Sequence, residues 1–94
     1  MDEKMIESLW RILQHYGPRP QIIKAIEELA ELQTELARDL NGQGNPDNML
    51  SESADAFIML MQVMAIYNID MEALDEEIRF KIDRQLRRIE EEES

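Results

Sequence analysis

The sequence predicts an all-α protein, a bundle of four helices. Glycine (3), proline (3) and aromatic residues (5%) are scarce, and strong helix formers dominate the long runs between the turns. The connections between these runs are short, which is typical of a bundle. Because a chain of 94 residues buries only a small core, we expect a single domain, residues 1–94, whose bundle is completed by oligomerisation.

Helix-breaking residues divide the chain into four predicted helices, at about 3–16, 21–40, 47–68 and 71–90. The first connection contains Pro18 and Pro20, and the second, from 41 to 46, is the clearest loop in the chain. Asp70 is the expected N-cap of the fourth helix. We expect this helix to point a row of apolar residues inward: Leu74, Ile78, Ile82, Leu86 and Ile89.

The second predicted helix has two contrasting sides. One side is mainly apolar and carries Ile22, Ile26, Leu29, Ala30, Gln33, Leu36, Ala37 and Leu40. The other side carries Lys24, Glu27, Glu28, Glu31 and Glu35. A charged side of this kind is typical of a solvated helix face.

The third predicted helix is apolar nearly all round, so we expect protein to surround it. Glu52 and Asp55 nevertheless lie in its first turns, on one side, with Gln62 further along the helix. A carboxylate in a packed core is costly unless it is paired, hydrogen-bonded or bound to a metal. These two acids therefore need partners elsewhere in the molecule.

Composition and charge exclude several classes of function. The net charge of −11 argues against a nucleic acid polymer as a partner, because phosphates would be repelled. The absence of cysteine excludes disulfides and thiolate chemistry. The N-terminus lacks the pattern of a signal peptide, and the uninterrupted apolar runs beside Gln62 are too short to cross a bilayer. We expect a cytoplasmic protein without a membrane partner.

Two pairs of acids share a helical spacing: Glu28 with Glu31, and Glu52 with Asp55. Residues three apart point the same way on a helix, so two antiparallel helices would bring four carboxylates together. Such a cluster is tolerable only around cations. Ligands that are all oxygen favour hard ions, with Mg²⁺ first and Mn²⁺ as its substitute.

The spacing alone leaves other interpretations open. Acids make up 21 of the 94 residues, so about four or five such pairs arise by chance. Glu28 and Glu31 also fit a solvated face, and Glu52 and Asp55 fit a partly exposed first turn. A di-iron bundle is excluded, because it needs two Glu-x-x-His motifs and the only histidine, His15, is far from both pairs.

At these residues the chain resembles a known family. The order Gln21, Lys24, EELAEL (27–32), a Gly/Asn loop and ESAD (52–55) before an apolar run resembles the MazG-type all-α NTP pyrophosphohydrolases. The superfamily also includes dimeric dUTPases and dCTP pyrophosphatases. Its motif is E-x-x-E, a spacer, then E-x-x-D, and here the spacer is the twenty residues 32–51. The resemblance covers the last three helices.

The resemblance implies a Mg²⁺-dependent enzyme that hydrolyses a (d)NTP to a (d)NMP and pyrophosphate, working as a homodimer or homotetramer. It implies the following roles: Glu28, Glu31, Glu52 and Asp55 as metal ligands; Glu27, Glu28 and Glu31 as catalytic residues; and Gln21, Lys24, Lys81 and Arg84 as substrate-binding residues. Lys81 and Arg84 are equally compatible with an ordinary solvated face of the fourth helix.

A second class of function remains open from the sequence. The chain also fits a non-enzymatic acidic helical bundle, an interaction or regulatory module whose acids are solvated or paired with basic residues of the fourth helix. The two interpretations differ in whether the acid pairs converge on one pocket. The sequence does not specify the base or the sugar of a nucleotide substrate.

Overall fold

The computed structural model describes all 94 residues and contains four α-helices and no strand. They are α1 (Glu3–Tyr16), α2 (Pro18–Leu40), α3 (Pro46–Ile66) and α4 (Met71–Glu93). The predicted all-α fold is confirmed. The predicted bounds differ at three helices, since α2 begins at Pro18, α3 ends at Ile66 and α4 continues to Glu93.

The helix ends follow local rules of the sequence. Gly17 closes α1 and opens α2 with a φ of 87°, a conformation that glycine adopts without steric cost. Pro18 can start α2 because the first helical position needs no N–H donor. Asn45 caps α3 by accepting hydrogen bonds from two backbone N–H groups, and Asp70 caps α4 as predicted, accepting from the N–H of Ala73 at 3.0 Å.

Only three of the four helices pack together. α2 and α3 form the main contact, α1 packs on both, and α4 packs on none of them. All six buried residues of the chain lie on α2 or α3. The predicted inward row of α4 is therefore wrong for the single chain: Leu74 is half-buried, and Ile78, Ile82, Leu86 and Ile89 are exposed. The bundle is not closed by this helix within one chain.

The face of α2 that packs on α3 is not its apolar side. Apart from the half-buried Ile22, its buried or half-buried residues recur at alternating spacings of four and three: Gln21, Ala25, Glu28, Leu32 and Glu35. The apolar side is turned about a third of a revolution away and is largely open to solvent, where Ile26 is 65% exposed and Leu36 50%. The expectation of a solvated acidic face is thus wrong for Glu28 and Glu35.

α3 as a whole has the length and composition of a membrane span, with 21 residues and a mean hydropathy of 1.4. The core helix of a soluble protein passes the same test, but only 17% of the apolar window of α3 is buried within the single chain. Here the helix carries the most buried side chain of the protein, Gln62, which is only 1% exposed. Gln62 accepts a hydrogen bond from Gln21 on α2 and donates one to the carbonyl of Leu9 on α1.

Candidate metal centre

Three carboxylates converge where α2 and α3 pack. Glu28, Glu31 and Glu52 each offer a carboxylate oxygen, and these oxygens lie within 4.8 Å of one another. Glu28 and Glu31 share one side of α2 because they are three residues apart, and Glu52 comes from the second turn of α3. We call these three residues the carboxylate cluster.

The cluster is electrostatically strained. The charge of Glu28 raises the pKa of Glu31 above its ordinary value of 4.5, and the charge of Glu52 adds to the effect. Like charges at close range favour the protonated form of one of them. The cluster therefore holds a proton more readily than an isolated carboxylate does.

Two oxygens of the cluster have no hydrogen-bond partner. Oε2 of Glu28 and Oε2 of Glu52 are both buried and unpartnered. The other oxygen of Glu28 lies 3.3 Å from Nζ of Lys24, whose side chain is 56% exposed. A single lysine at the rim cannot satisfy three acids, and a buried acceptor without a donor is costly. A cation bound by the cluster would reduce this cost.

The fourth predicted ligand, Asp55, lies outside the cluster. Its half-buried side chain lines an adjacent cavity of about 410 Å³ between α1, α2 and α3, together with Glu28, Lys24 and Gln21. The rest of its lining is mainly apolar and consists of Ile12, Tyr16, Pro20, Ile58 and Met59. The cavity thus shares Glu28 with the cluster and combines polar and apolar side chains from three helices.

The remaining predicted site residues lie in different places. Glu27 is exposed on α2 and is not part of the cluster. Lys81 and Arg84 lie on the unpacked α4, and one chain does not bring them to the cluster. Lys81 is 3.8 Å from Glu77 of the same helix, and Arg84 lies over the ring of Phe80 at 5.8 Å.

Sequence reasoning missed a buried acid next to the cluster. Glu35 is 5% exposed and accepts a hydrogen bond from the backbone N–H of Asn45 at 3.2 Å. The signal was its position, seven residues after Glu28 and fourteen after Gln21, which places all three on one face of α2. Gln21 itself is 3% exposed and bonded to Gln62.

No protein-family model, no curated protein and no solved structure significantly matches this chain. The resemblance to the MazG-type enzymes therefore rests on the spacing and type of the motif residues alone.

The donor set of the cluster fits a hard divalent cation. All its ligand atoms are carboxylate oxygens, and one oxygen from each residue lies within 4.8 Å of the others; two oxygens of the cluster are buried without a donor. Such ligands suit Mg²⁺ and Mn²⁺, whereas the set lacks the nitrogen and sulfur ligands typical of zinc sites.

Proposed function

We propose that this chain is a Mg²⁺-dependent nucleotide pyrophosphohydrolase that converts a (d)NTP to a (d)NMP and pyrophosphate. The single observation that carries the proposal is the pair of buried, unpartnered oxygens of Glu28 and Glu52 in a cluster with Glu31. Acids on the packed face of α2, where apolar residues would stabilise the fold, indicate a chemical use. Glu28, Glu31 and Glu52 would hold the ion. Asp55 stays a proposed metal ligand, which would approach the ion from the cavity beside the cluster.

Mg²⁺ in such a site neutralises phosphate charge and lowers the pKa of an attacking water. Attack on the α-phosphorus forms a new P–O bond, and the bond from that phosphorus to the bridging oxygen breaks as pyrophosphate leaves. A carboxylate must accept the proton of the water. Glu27 is our choice for this base, because it is exposed and lies outside the three residues that would hold the ion. Glu28 and Glu31, the other two predicted catalytic residues, would act as ligands of the ion.

The cavity beside the cluster suits the rest of a nucleotide. Its volume of about 410 Å³ falls in the range of small-molecule sites. Lys24 is part of its lining, and a lysine ammonium is a suitable partner for a phosphate. Ile12, Tyr16 and Ile58 offer an apolar surface for a base or a sugar.

We further propose that the working form is a homodimer or homotetramer. The chain exposes 7821 Å², about 2,200 Å² more than a compact monomer of 11.1 kDa would expose. Its radius of gyration is 16.7 Å, against about 12 Å for a compact domain of this length. The excess is larger than the roughly 800 Å² that each partner buries in a standard interface.

A second copy could also bring basic residues to the cluster, which the single chain does not do. Lys81 and Arg84 remain on α4, away from the cluster of their own chain. If the α4 of one copy covers the apolar side of another, these two cations can approach the partner's cluster and bind phosphate there. We therefore keep both residues as proposed substrate-binding residues that act across an interface.

One observation favours the alternative, a non-enzymatic interaction module: the apolar row of α4 lies unpacked and free to bind another protein. In another form of this alternative, basic residues of α4 pair with the acids of α2 and α3. The single chain contains no such pairs, because α4 packs on no other helix and its Arg79 and Lys81 pair with Asp75 and Glu77 of α4 itself.

The test is a panel of NTPs and dNTPs, each with millimolar Mg²⁺, with release of pyrophosphate as the readout. We expect at least one nucleotide to give pyrophosphate and the monophosphate in equal amounts. The matched pair is Glu28→Gln, in the cluster, and Glu76→Gln, on an exposed part of α4. Activity that Glu28→Gln retains in full, or no activity on any nucleotide, would contradict the proposal.

A further inference from the structure

Two polar links join α2 to α3, and the carboxylate cluster lies between them. On one side Gln21 donates to Gln62 at 3.3 Å. On the other side Glu35 accepts from the N–H of Asn45 at 3.2 Å. Gln21 and Glu35 are each seven residues, about two helical turns, from Glu28.

The second link holds the first residue of a rigid element. Asn45 is the N-cap of α3, and its side chain accepts from the N–H groups of Asp47 and Asn48. Glu52 follows Asn45 by seven residues, again about two turns. A displacement of Asn45 by one residue would rotate Glu52 by about 100° around the helix axis.

The loop before Asn45 lies tightly against the end of α2. The N–H of Gln43 donates to the carbonyl of Arg38 at 2.9 Å. A Cβ on Gly44 would lie 2.8 Å from Cα of Asp39, which is too close for any side chain. These contacts fix the position of the loop, so that the N–H of Asn45 faces the carboxylate of Glu35.

We propose that Glu35 is a positioning residue of the metal centre: its buried carboxylate fixes the start of α3 against α2 and thereby places Glu52 opposite Glu28 and Glu31. The inference deepens the proposed function and rests on it for the role of the cluster. The alternative is that Glu35 only adds to the general stability of the fold. A buried acid is an unusual choice for that task, because an apolar residue at this position would stabilise without the cost of desolvation.

The first measurement needs no variant and no metal. The N–H of an N-cap residue has no acceptor within its own helix, so it normally exchanges with solvent at an unprotected rate. If Glu35 holds it, the amide of Asn45 is protected at least about tenfold, the factor expected for a buried hydrogen bond. An unprotected Asn45 amide, measured by NMR hydrogen exchange, overturns the proposal.

The second measurement compares Glu35→Met, which keeps the volume and removes the acceptor, with Glu35→Gln, which keeps an acceptor oxygen. Glu76→Gln on α4 is the control. In the metal-free protein, Glu35→Met should speed exchange of the amides from Asn45 to Glu52 about tenfold or more, while amides near Gln62 stay as in wild type. Glu35→Gln should resemble wild type. Equal acceleration along all of α3 would identify a general stability role. Exchange in Glu35→Gln as fast as in Glu35→Met would show that the hydrogen bond from Asn45 does not fix the start of α3, and would overturn the proposal.

The third measurement uses Mn²⁺ as the probe, followed by electron paramagnetic resonance of the free ion. Residues that orient ligands typically contribute about 10- to 100-fold to metal affinity, so Glu35→Met should lose that factor and Glu35→Gln should keep most of it. Wild-type affinity in the folded Glu35→Met variant overturns the positioning role. If wild type itself binds no Mn²⁺, the proposed metal site is wrong, and the exchange measurements still decide whether Glu35 places Glu52.

Discussion

The α2–α3 contact and the α4 helix distribute polarity in opposite ways. At the α2–α3 contact, three of the six buried residues are polar, namely Gln21, Glu35 and Gln62. α4 in contrast packs on no other helix and exposes large apolar residues such as Phe80 and Leu86. Small proteins usually bury apolar residues and expose polar ones. Here the buried contact between α2 and α3 contains amides and an acid, and the exposed helix α4 carries large apolar residues.

The difference separates two physical tasks. The polar contact positions the carboxylate cluster, and its cost must be offset elsewhere, since a chain of this size has little stability to spare. The apolar residues of α4 and of the outer side of α2 can offset that cost only when something covers them. We therefore expect the two regions to respond differently to substitution, to metal and to protein concentration.

The largest expected effect is on the pyrophosphohydrolase activity that we propose for the cluster. Glu52→Gln removes one charge and keeps the shape of the side chain. We expect it to lower kcat by on the order of 100- to 1,000-fold, the usual effect of removing a group that stabilises transition-state charge. Glu76→Gln on α4 should leave kcat unchanged. Equal kcat values in both variants, measured as pyrophosphate release, would remove Glu52 from the mechanism.

The next effect is the response of stability to metal. At about 100 times its dissociation constant, a ligand that binds only the folded state stabilises it by roughly 2.7 kcal/mol. For a domain of this size that raises the Tm by about 10–20 °C. We expect Glu31→Gln to lose most of this shift with Mg²⁺, and Asp55→Asn, which lies outside the cluster, to keep a larger part of it. Melting curves with and without millimolar Mg²⁺, with a non-hydrolysable nucleotide present, measure both.

A wild-type protein without any Mg²⁺-dependent shift under these conditions would contradict the metal assignment of the whole cluster. A larger loss in Asp55→Asn than in Glu31→Gln would move the ion from the cluster towards the cavity.

A smaller effect tests the exposed apolar side of α2. Ile26 is 65% exposed in the single chain, and substitutions at such sites usually change stability by less than about 0.5 kcal/mol. If a second copy covers it, Ile26→Gln should cost about 1–3 kcal/mol and shift sedimentation towards the monomer. A stable wild-type monomer at micromolar concentration, together with an unchanged Tm for Ile26→Gln, would show that no second copy covers the apolar side of α2.

Some of these features were predictable from the sequence and others were not. Local signals placed the helices, because breakers and caps such as Gly17 and Asp70 act within a few residues. Spacing also predicted that Glu28, Glu31, Glu52 and Asp55 come together; the first three do, and Asp55 lies outside the cluster. Helical periodicity gave an apolar and a charged side of α2, but the face that packs on α3 lies between them, since that choice depends on the partner face.

The position of α4 was not predictable for the same reason. Its apolar row, including Ile78 and Leu86, fits an inward face equally well whether the covering surface belongs to the same chain or to another. Glu35 was missed because its partner is a backbone N–H of Asn45 in a loop, and side-chain patterns carry no information about backbone donors.

The smallest expected effect is a pH dependence of the metal-free protein. Glu28 and Glu52 raise the pKa of Glu31 in the folded state, so folding favours the protonated form of this group. Its stabilising contribution is complete below its ordinary value of 4.5 and is lost as the pH rises through the folded pKa. Without metal, the free energy of unfolding of wild type relative to Glu31→Gln should therefore fall from about pH 4.5 upwards. With Mg²⁺ the trend should reverse, because the ion competes with the proton for the same oxygens and binds better as the pH rises. Denaturant titrations of both proteins at several pH values, with and without Mg²⁺, measure the two slopes. The opposite result would be a free energy of unfolding of wild type that rises with pH relative to Glu31→Gln in the absence of metal. It would show that Glu31 is paired with a positively charged side chain in the folded protein, as expected for a structural acid and not for a metal ligand.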